Sequence, residues 1–220
     1  MRNKQLKNRI LEISYKNKLS HLSSTLSAVD IISDIYEDKN PDDIFVLSQG
    51  QAGLALYVVL EKFEDRNVEH LLEKHGIHPN RDLSYGIHVS SGSLGHGLPI
   101  ALGMAISDKS RNVFCLISDG ECMEGSIYEA LRLKEKLEVD NLHVYINYNG
   151  YSAYSKIEEH ELAARLGQSF KDIFDKDQFI DTSYIYDEFP LLKGYEGHYY
   201  TLTNEDIIKY LGEDNNNDNN

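Results

Sequence analysis

No stretch of the 220-residue chain approaches the roughly 18 consecutive apolar residues that a membrane-spanning helix needs. The amino-terminal residues Met1-Arg2-Asn3-Lys4-Gln5 are polar and lack the apolar segment of a secretory signal, so the expected compartment is the cytoplasm. Only two cysteines are present, too few for a disulfide framework. Cys115 falls in an apolar run and reads as inert packing, and Cys122 has no base spaced to activate it. Positive charge is also scarce. The 22 Lys and Arg against 36 Asp and Glu leave a net charge of −14, opposite in sign to a nucleic-acid footprint. That balance leaves room for a phosphorylated small molecule, which needs only local N–H donors and a metal ion. Internal repeats are absent. Hydrophobic residues make up 41% of the chain, enough to build a core. Residues 1–211 are expected to form one domain, and the low-complexity tail 212–220, GEDNNNDNN, to be disordered.

What the chain does contain is concentrated between Asn112 and Tyr151. Val113-Phe114-Cys115-Leu116-Ile117 reads as a buried strand and is followed at once by Ser118-Asp119-Gly120. A helical pattern runs from Ile127 to Leu137, and a second apolar run, Leu142 to Ile146, leads into Asn147-Tyr148-Asn149-Gly150-Tyr151. An Asp-Gly after a strand is ordinarily just a turn. A second Asn-Gly, thirty residues on and after a second strand, changes the balance. Ligands of parallel α/β sheets sit at the carboxyl ends of strands, so Asp119 and Asn149 should face one crevice. A charged and a neutral oxygen suit Mg²⁺, whose remaining positions a diphosphate can fill. Gly120 would let the backbone approach a phosphate, and the helix starting near Gly125 would aim free N–H groups at it.

These residues resemble the thiamine diphosphate fingerprint of the transketolase family. Asp119-Gly120-Glu121-Cys122-Met123-Glu124-Gly125 is similar to that family's "GDGE-x-x-EG" run, and Asn147-Tyr148-Asn149-Gly150 to its "DxNG", with Ser118 where the first Gly is usual. The resemblance implies that Asp119, Asn149 and the Tyr151 carbonyl ligate Mg²⁺ and that Gly120 meets the diphosphate. Glu124 would belong to a network linking two cofactor sites of a dimer.

Further motifs extend the resemblance over about residues 5–210. Asn3 to Asn17 reads as an amphipathic helix. Leu19 to Ser27 reads as a polar loop, with Ser27 as N-cap of a helix from Ala28 to Tyr36. It is similar to the family's "GH-x-x-x-x-LSAVDIL", which makes His21 a substrate- and cofactor-facing histidine. Asp42 to Ser48 reads as a strand followed by a helix to about Lys62; the family's "LSKGHA" appears with Gln51 in place of histidine. An amide there can hydrogen-bond but cannot move a proton near neutral pH. A short helix covers Asn67 to Lys74, and His78 in Gly76-Ile77-His78-Pro79 resembles the second histidine. Val89 to Leu98 closely resembles the "STGSLGxG" loop, implying that Gly92 and the Leu94 carbonyl meet the aminopyrimidine side of the cofactor and that His96 lines the pocket. Leu98 to Ile106 is apolar nearly all round and is expected to be a buried helix. Ser155 to Leu166 and Asp172 to Phe179 offer helix and strand fragments. Gly197-His198-Tyr199-Tyr200 resembles the family's "WHY", making His198 a third candidate.

The expected fold is therefore α/β: a three-layer thiamine diphosphate-binding fold with a mostly parallel sheet flanked by helices. Enzymes of this kind need a second domain type that holds the aminopyrimidine, and the chain carries no second α/β pattern. The resemblance then implies the first subunit of a split transketolase, whose partner is a separate C-terminal (pyrimidine-binding) subunit in an α₂β₂ assembly. It would move a two-carbon ketol unit between sugars or sugar phosphates, in making or remodelling an unusual or nucleotide-linked sugar. The alternatives are a different thiamine diphosphate lyase or decarboxylase, and a catalytically silent binding or regulatory protein.

Overall fold

Four strands in the order β1-β2-β3-β4, every neighbouring pair parallel, carry the architecture. The computed structural model describes residues 2–152, 154–167 and 178–212. In chain order the elements are α1 (Lys4–Asn17), α2 (Leu22–Asp38), β1 (Ile44–Leu47), α3 (Gly53–Glu64), α4 (Val68–His75), α5 (Gly97–Ser107) and β2 (Val113–Ser118). Then come α6 (Gly125–Lys136), β3 (Leu142–Tyr148), α7 (Glu159–Leu166), β4 (Phe179–Asp181), α8 (Ile185–Glu188), α9 (Gly194–His198) and α10 (Asn204–Leu211).

Successive side chains of a strand face opposite ways, and here both faces are covered. Ile44, Val46, Val113, Cys115, Ile117, Leu142, Val144 and Ile146 pack under α5, α6 and α7. Phe45, Leu47 and Leu116 face a second core built with α1, α2 and α3. The β1–β2 crossover places α5 on one face and α3 on the other, where α1 and α2 from before β1 complete the second core. Helix α2 is central to that core. Leu22, Leu26, Val29 and Ile32 are at most 1% exposed, each contributing about 1.5–3 kcal/mol by burial. The expected three-layer α/β arrangement is the one the chain adopts. No helix of the described residues is long and apolar enough to cross a membrane.

Two expectations need correction. Helix α2 starts at Leu22, not Ala28, so Ser27 lies inside it and caps nothing. Its small polar residues are buried and their hydroxyls bond back along the helix: Thr25 Oγ1 to the His21 carbonyl (3.0 Å) and Ser27 Oγ to the Ser24 carbonyl (3.1 Å). Helix α5 is not buried all round either. Leu98, Ala101, Leu102 and Ala105 face the core, but Ile100 and Ile106 are 42% and 44% exposed. Of the Asp172 to Phe179 fragment, only the start of β4 lies within the described residues, and the expected tail from 213 onward lies outside them.

Candidate functional site

The carboxyl ends of β2 and β3 meet as anticipated, and Asp119 joins them. Its side chain is fully buried. Oδ1 accepts from Gly120 N (2.9 Å), and Oδ2 accepts from Asn149 N (3.1 Å) and Gly150 N (2.7 Å). One carboxylate thus pins the second turn to the first. Burial pushes its carboxyl up to about 7, and the Gly150, Gly120 and Asn149 amides offset only part of that. Among the described residues no Lys or Arg pairs with it. Asn149 Oδ1 accepts from Tyr151 N (3.0 Å), closing an Asx turn that holds the Tyr151 backbone beside the same cavity.

The opposite wall is built of imidazoles. His21 precedes the first turn of α2 with φ 66°, a left-handed conformation uncommon outside glycine. Its ring lies 4.5 Å from that of His198 and 6.2 Å from that of His78, centroid to centroid. The His21 amide donates to the His198 carbonyl (3.0 Å), which ties the end of α9 to the start of α2. Burial, then His198 and His78, lower His21 to about 4; burial lowers His198 too. At neutral pH both rings are therefore uncharged. They can accept or share a hydroxyl proton but do not attract a phosphate by charge.

Between these walls lies a cavity of about 190 Å³. Ten of the twelve residues singled out by sequence line it: His21, Gln51, His78, Gly92, Leu94, Asp119, Gly120, Asn149, Tyr151 and His198. Gly92, at φ 131°, brings the glycine-rich loop against His78; a Cβ there would lie 2.9 Å from the ring. Two residues do not line it. Gly95, at φ 77°, turns the chain so that Leu94 faces the cavity while His96 is exposed. Glu124 packs against Gly95, and α6, starting one residue later, contributes no residue to the cavity wall.

Five residues escaped the sequence reading. Ser24, Ser152 and Tyr199 also line the cavity and lack a distinctive spacing, while Ser118, at the first-Gly position of the fingerprint, lines it as well. Glu121 and Asn147 sit behind it, fully buried. Asn147 Nδ2 donates to Ser27 Oγ (2.9 Å) and Gln49 Oε1 (3.3 Å), and its Oδ1 accepts from Thr182 Oγ1 (2.6 Å), so it ties α2 and the ends of β1 and β4 to β3. Glu121 stood inside a recognised motif, but only its contacts reveal what it does. Cys122 is fully buried, and burial, Asp119 and Glu121 push its thiol well up, in line with the expectation that it is not a nucleophile.

The donor set fits a magnesium diphosphate. One buried carboxylate lacking a cation, one amide oxygen and one turn carbonyl make too few ligands for an all-protein cage. That is how a cation shared with a substrate or cofactor phosphate is held. Among the described residues no group of three His, Cys, Asp or Glu could bind a metal unaided. The cavity is also smaller than the roughly 300–1,000 Å³ usual for organic ligands.

The family described as transketolase, thiamine diphosphate binding domain, matches residues 34–162. The chain is 35% identical over 171 residues to one subunit of the apulose-4-phosphate transketolase of Phocaeicola vulgatus, covering 69% of this chain and 60% of that protein. It is 37% identical over 150 residues to the transketolase-like protein 2 of Bos taurus, covering 59% of this chain and 24% of the relative. The chain thus spans less than two thirds of the curated relatives it resembles. Its backbone superposes on the transketolase of Pichia stipitis with a TM-score of 0.60 at 23% identity, over 76% of this chain and 30% of that one. With the fold, the paired strand-end turns and the family match in agreement, the chain belongs to the transketolase family through its thiamine diphosphate-binding domain.

Proposed function

We propose that this chain is the diphosphate-holding subunit of a two-component transketolase, a transferase that moves a two-carbon ketol unit between sugars and works only with a separate pyrimidine-binding subunit. The observation that carries this reading is the half-built cavity, with a charge-deficient aspartate on one wall and neutral imidazoles on the other. Residues 1–211 form the cofactor-holding unit. Asp119, Asn149 and the Tyr151 carbonyl hold Mg²⁺, Gly120 admits the diphosphate, and Gly92 and Leu94 flank the organic part. Thiamine diphosphate supplies the carbon–carbon bond chemistry when bound. His21, His78 and His198 orient the sugar hydroxyls and exchange protons with them, while Gln51 hydrogen-bonds without moving a proton. His96 and Glu124 face away from the cavity, and Glu124 acts between subunits. Two relatives, from Phocaeicola vulgatus and Actinobacillus succinogenes, are each named as one subunit of a transketolase, which supports the division of labour. The exposed apolar face of α5, at Ile100 and Ile106, supports burial in an assembly, which we take to be α₂β₂. The substrates are sugars of an unusual or nucleotide-linked type.

Native mass spectrometry of the chain purified from its own cells tests this. The expected species contains a second subunit, thiamine diphosphate and Mg²⁺. A homo-oligomer that takes up neither cofactor nor metal, even when both are added, would replace this reading with that of a binding protein.

A further inference from the structure

Glu121 is fully buried and has no cationic partner among the described residues, yet three donors converge on it. Oε1 accepts from Ser48 Oγ (2.6 Å) and Gly95 N (2.9 Å), and Oε2 accepts from Ser118 N (3.1 Å). Ser48 Oγ in turn accepts from Gly97 N (3.1 Å). Ser48 follows β1, Gly95 and Gly97 belong to the glycine-rich loop that carries Gly92 and Leu94, and Ser118 ends β2 just before Asp119. Three chain segments that wall the cavity are therefore joined through one side chain that does not itself enter it. An acceptor-only group is what this spot requires. A glutamine would keep the size but turn an N–H toward the Ser118 N–H, donor against donor. A buried, uncompensated carboxylate is costly, and a well-packed apolar residue would serve a merely structural core better.

We infer that Glu121 is a positioning residue that sets the glycine-rich loop against the Asp119 turn, so that the organic and diphosphate halves of one cofactor meet their walls together. This rests on the cofactor reading above for its ligand, but not for its geometry. The split it predicts is between ligands that touch one wall and ligands that touch both. Magnesium pyrophosphate needs only the Asp119–Asn149 wall; magnesium thiamine diphosphate needs the loop as well.

The test compares the full chain, together with its partner, as wild type, Glu121→Gln and Ser48→Ala. Calorimetry reads both ligands, and hydrogen exchange reads the amides. Glu121→Gln is expected to weaken thiamine diphosphate about tenfold or more, the loss usual for hydrogen bonds to a charged group. Magnesium pyrophosphate should change by less than about threefold on the same scale. Protection should fall at Gly95, Gly97 and Ser118 and persist at Asn149 and Gly150. Ser48→Ala should show the same pattern more weakly, and combining the two should add little, since they break one network. Equal losses for both ligands, or unchanged exchange at Gly95 and Gly97, would overturn the inference. If wild type binds neither ligand, the cofactor reading fails, and the exchange pattern alone still decides the positioning role.

Discussion

The two ends of the sheet hold the same kinds of residue: an aspartate, a histidine and an asparagine. At the amino end, Asp43 accepts from Asn112 N (2.9 Å) and Asn40 N (2.9 Å), and His143 Nε2 lies 3.2 Å from Asn112 Oδ1. Burial pushes the Asp43 carboxyl up, but the backbone and side-chain bonds from Asn112 and Asn40 outweigh it and hold it below its ordinary value. At the carboxyl end, Asp119 receives three backbone amides and still sits at about 7, because burial there wins. His143 stacks on Phe114, whereas His21 lies against other imidazoles on the wall of a cavity. Residue type therefore does not separate structure from function here. What separates them is whether the local donors and acceptors balance. Asp43 is satisfied; Asp119 is short of one positive charge.

The comparison breaks most visibly at Asp119. Its pKa is raised from 3.8 to about 7, so between those values the folded chain binds a proton that the unfolded chain has released. The stability of the metal-free chain then falls as pH rises through that window, and the full penalty is present above it. Asp119→Asn removes the titration but turns an N–H toward a backbone N–H that the carboxylate accepted, so its metal-free melting temperature should no longer fall as pH rises through that window. Binding of magnesium thiamine diphosphate should fall by more than the roughly 10–100-fold typical of losing an outer-sphere partner. A variant that still bound the cofactor as tightly as wild type would reverse the assignment of the two ends.

His21 gives the next largest effect. Its pKa is lowered from 6.5 to about 4, so in that window the unfolded chain takes up a proton that the folded chain refuses. Stability therefore falls as the solution is acidified through it. In His21→Asn the melting temperature should depend less steeply on pH between about 6.5 and about 4. Turnover of the assembled enzyme should fall about 100-fold, as for loss of a proton-transferring group. An unchanged acid limb would mean the ring is not held neutral by its surroundings.

Tyr199, 64% exposed, sits edge-on to His198 and His21 at 4.8 and 5.9 Å between centroids. Tyr199→Ala admits water to both rings. The His21 titration followed by NMR should move up from about 4 toward 6.5, with cofactor affinity changed by less than about tenfold. No movement would show that the neighbouring imidazoles, not burial, set the His21 value.

The two walls of the cavity were not equally legible in the sequence. Asp119-Gly120 and Asn149-Gly150 each end an apolar run, and neighbouring parallel strands bring such ends together, so spacing alone places them. His21, His78 and His198 come from three distant segments, and only the family resemblance drew them together. Misreadings have physical causes as well. The serines and threonine at the start of α2 favour loops by competing for backbone hydrogen bonds, yet inside this core their hydroxyls bond back along a helix. The apolar pattern of α5 cannot say whether its outer face meets the core or another chain. Glu121 and Asn147 act through hydrogen bonds to residues distant in sequence, which no local pattern reports.

The smallest functional effect belongs to the amino end, and it is the sharpest control. Asn112→Ala removes the side-chain partner of His143 and a long side-chain bond to Asp43 (3.5 Å) while leaving the backbone bond to Asp43 in place. The cost in stability should be about 1–2 kcal/mol, one modest hydrogen bond and one long one. Strand β2 separates this site from Asp119 by its full length of six residues, about 20 Å at 3.3 Å per residue. Sites so far apart with no shared partner behave additively within about 0.5 kcal/mol. Cofactor affinity in Asn112→Ala should therefore stay within about twofold of wild type, and the double variant with His21→Asn should show the sum of the two stability changes. A loss of binding comparable to that of Asp119→Asn would mean that the polar cluster at the amino end communicates with the cavity through the strand. The balance of local partners would then no longer distinguish the structural aspartate from the functional one.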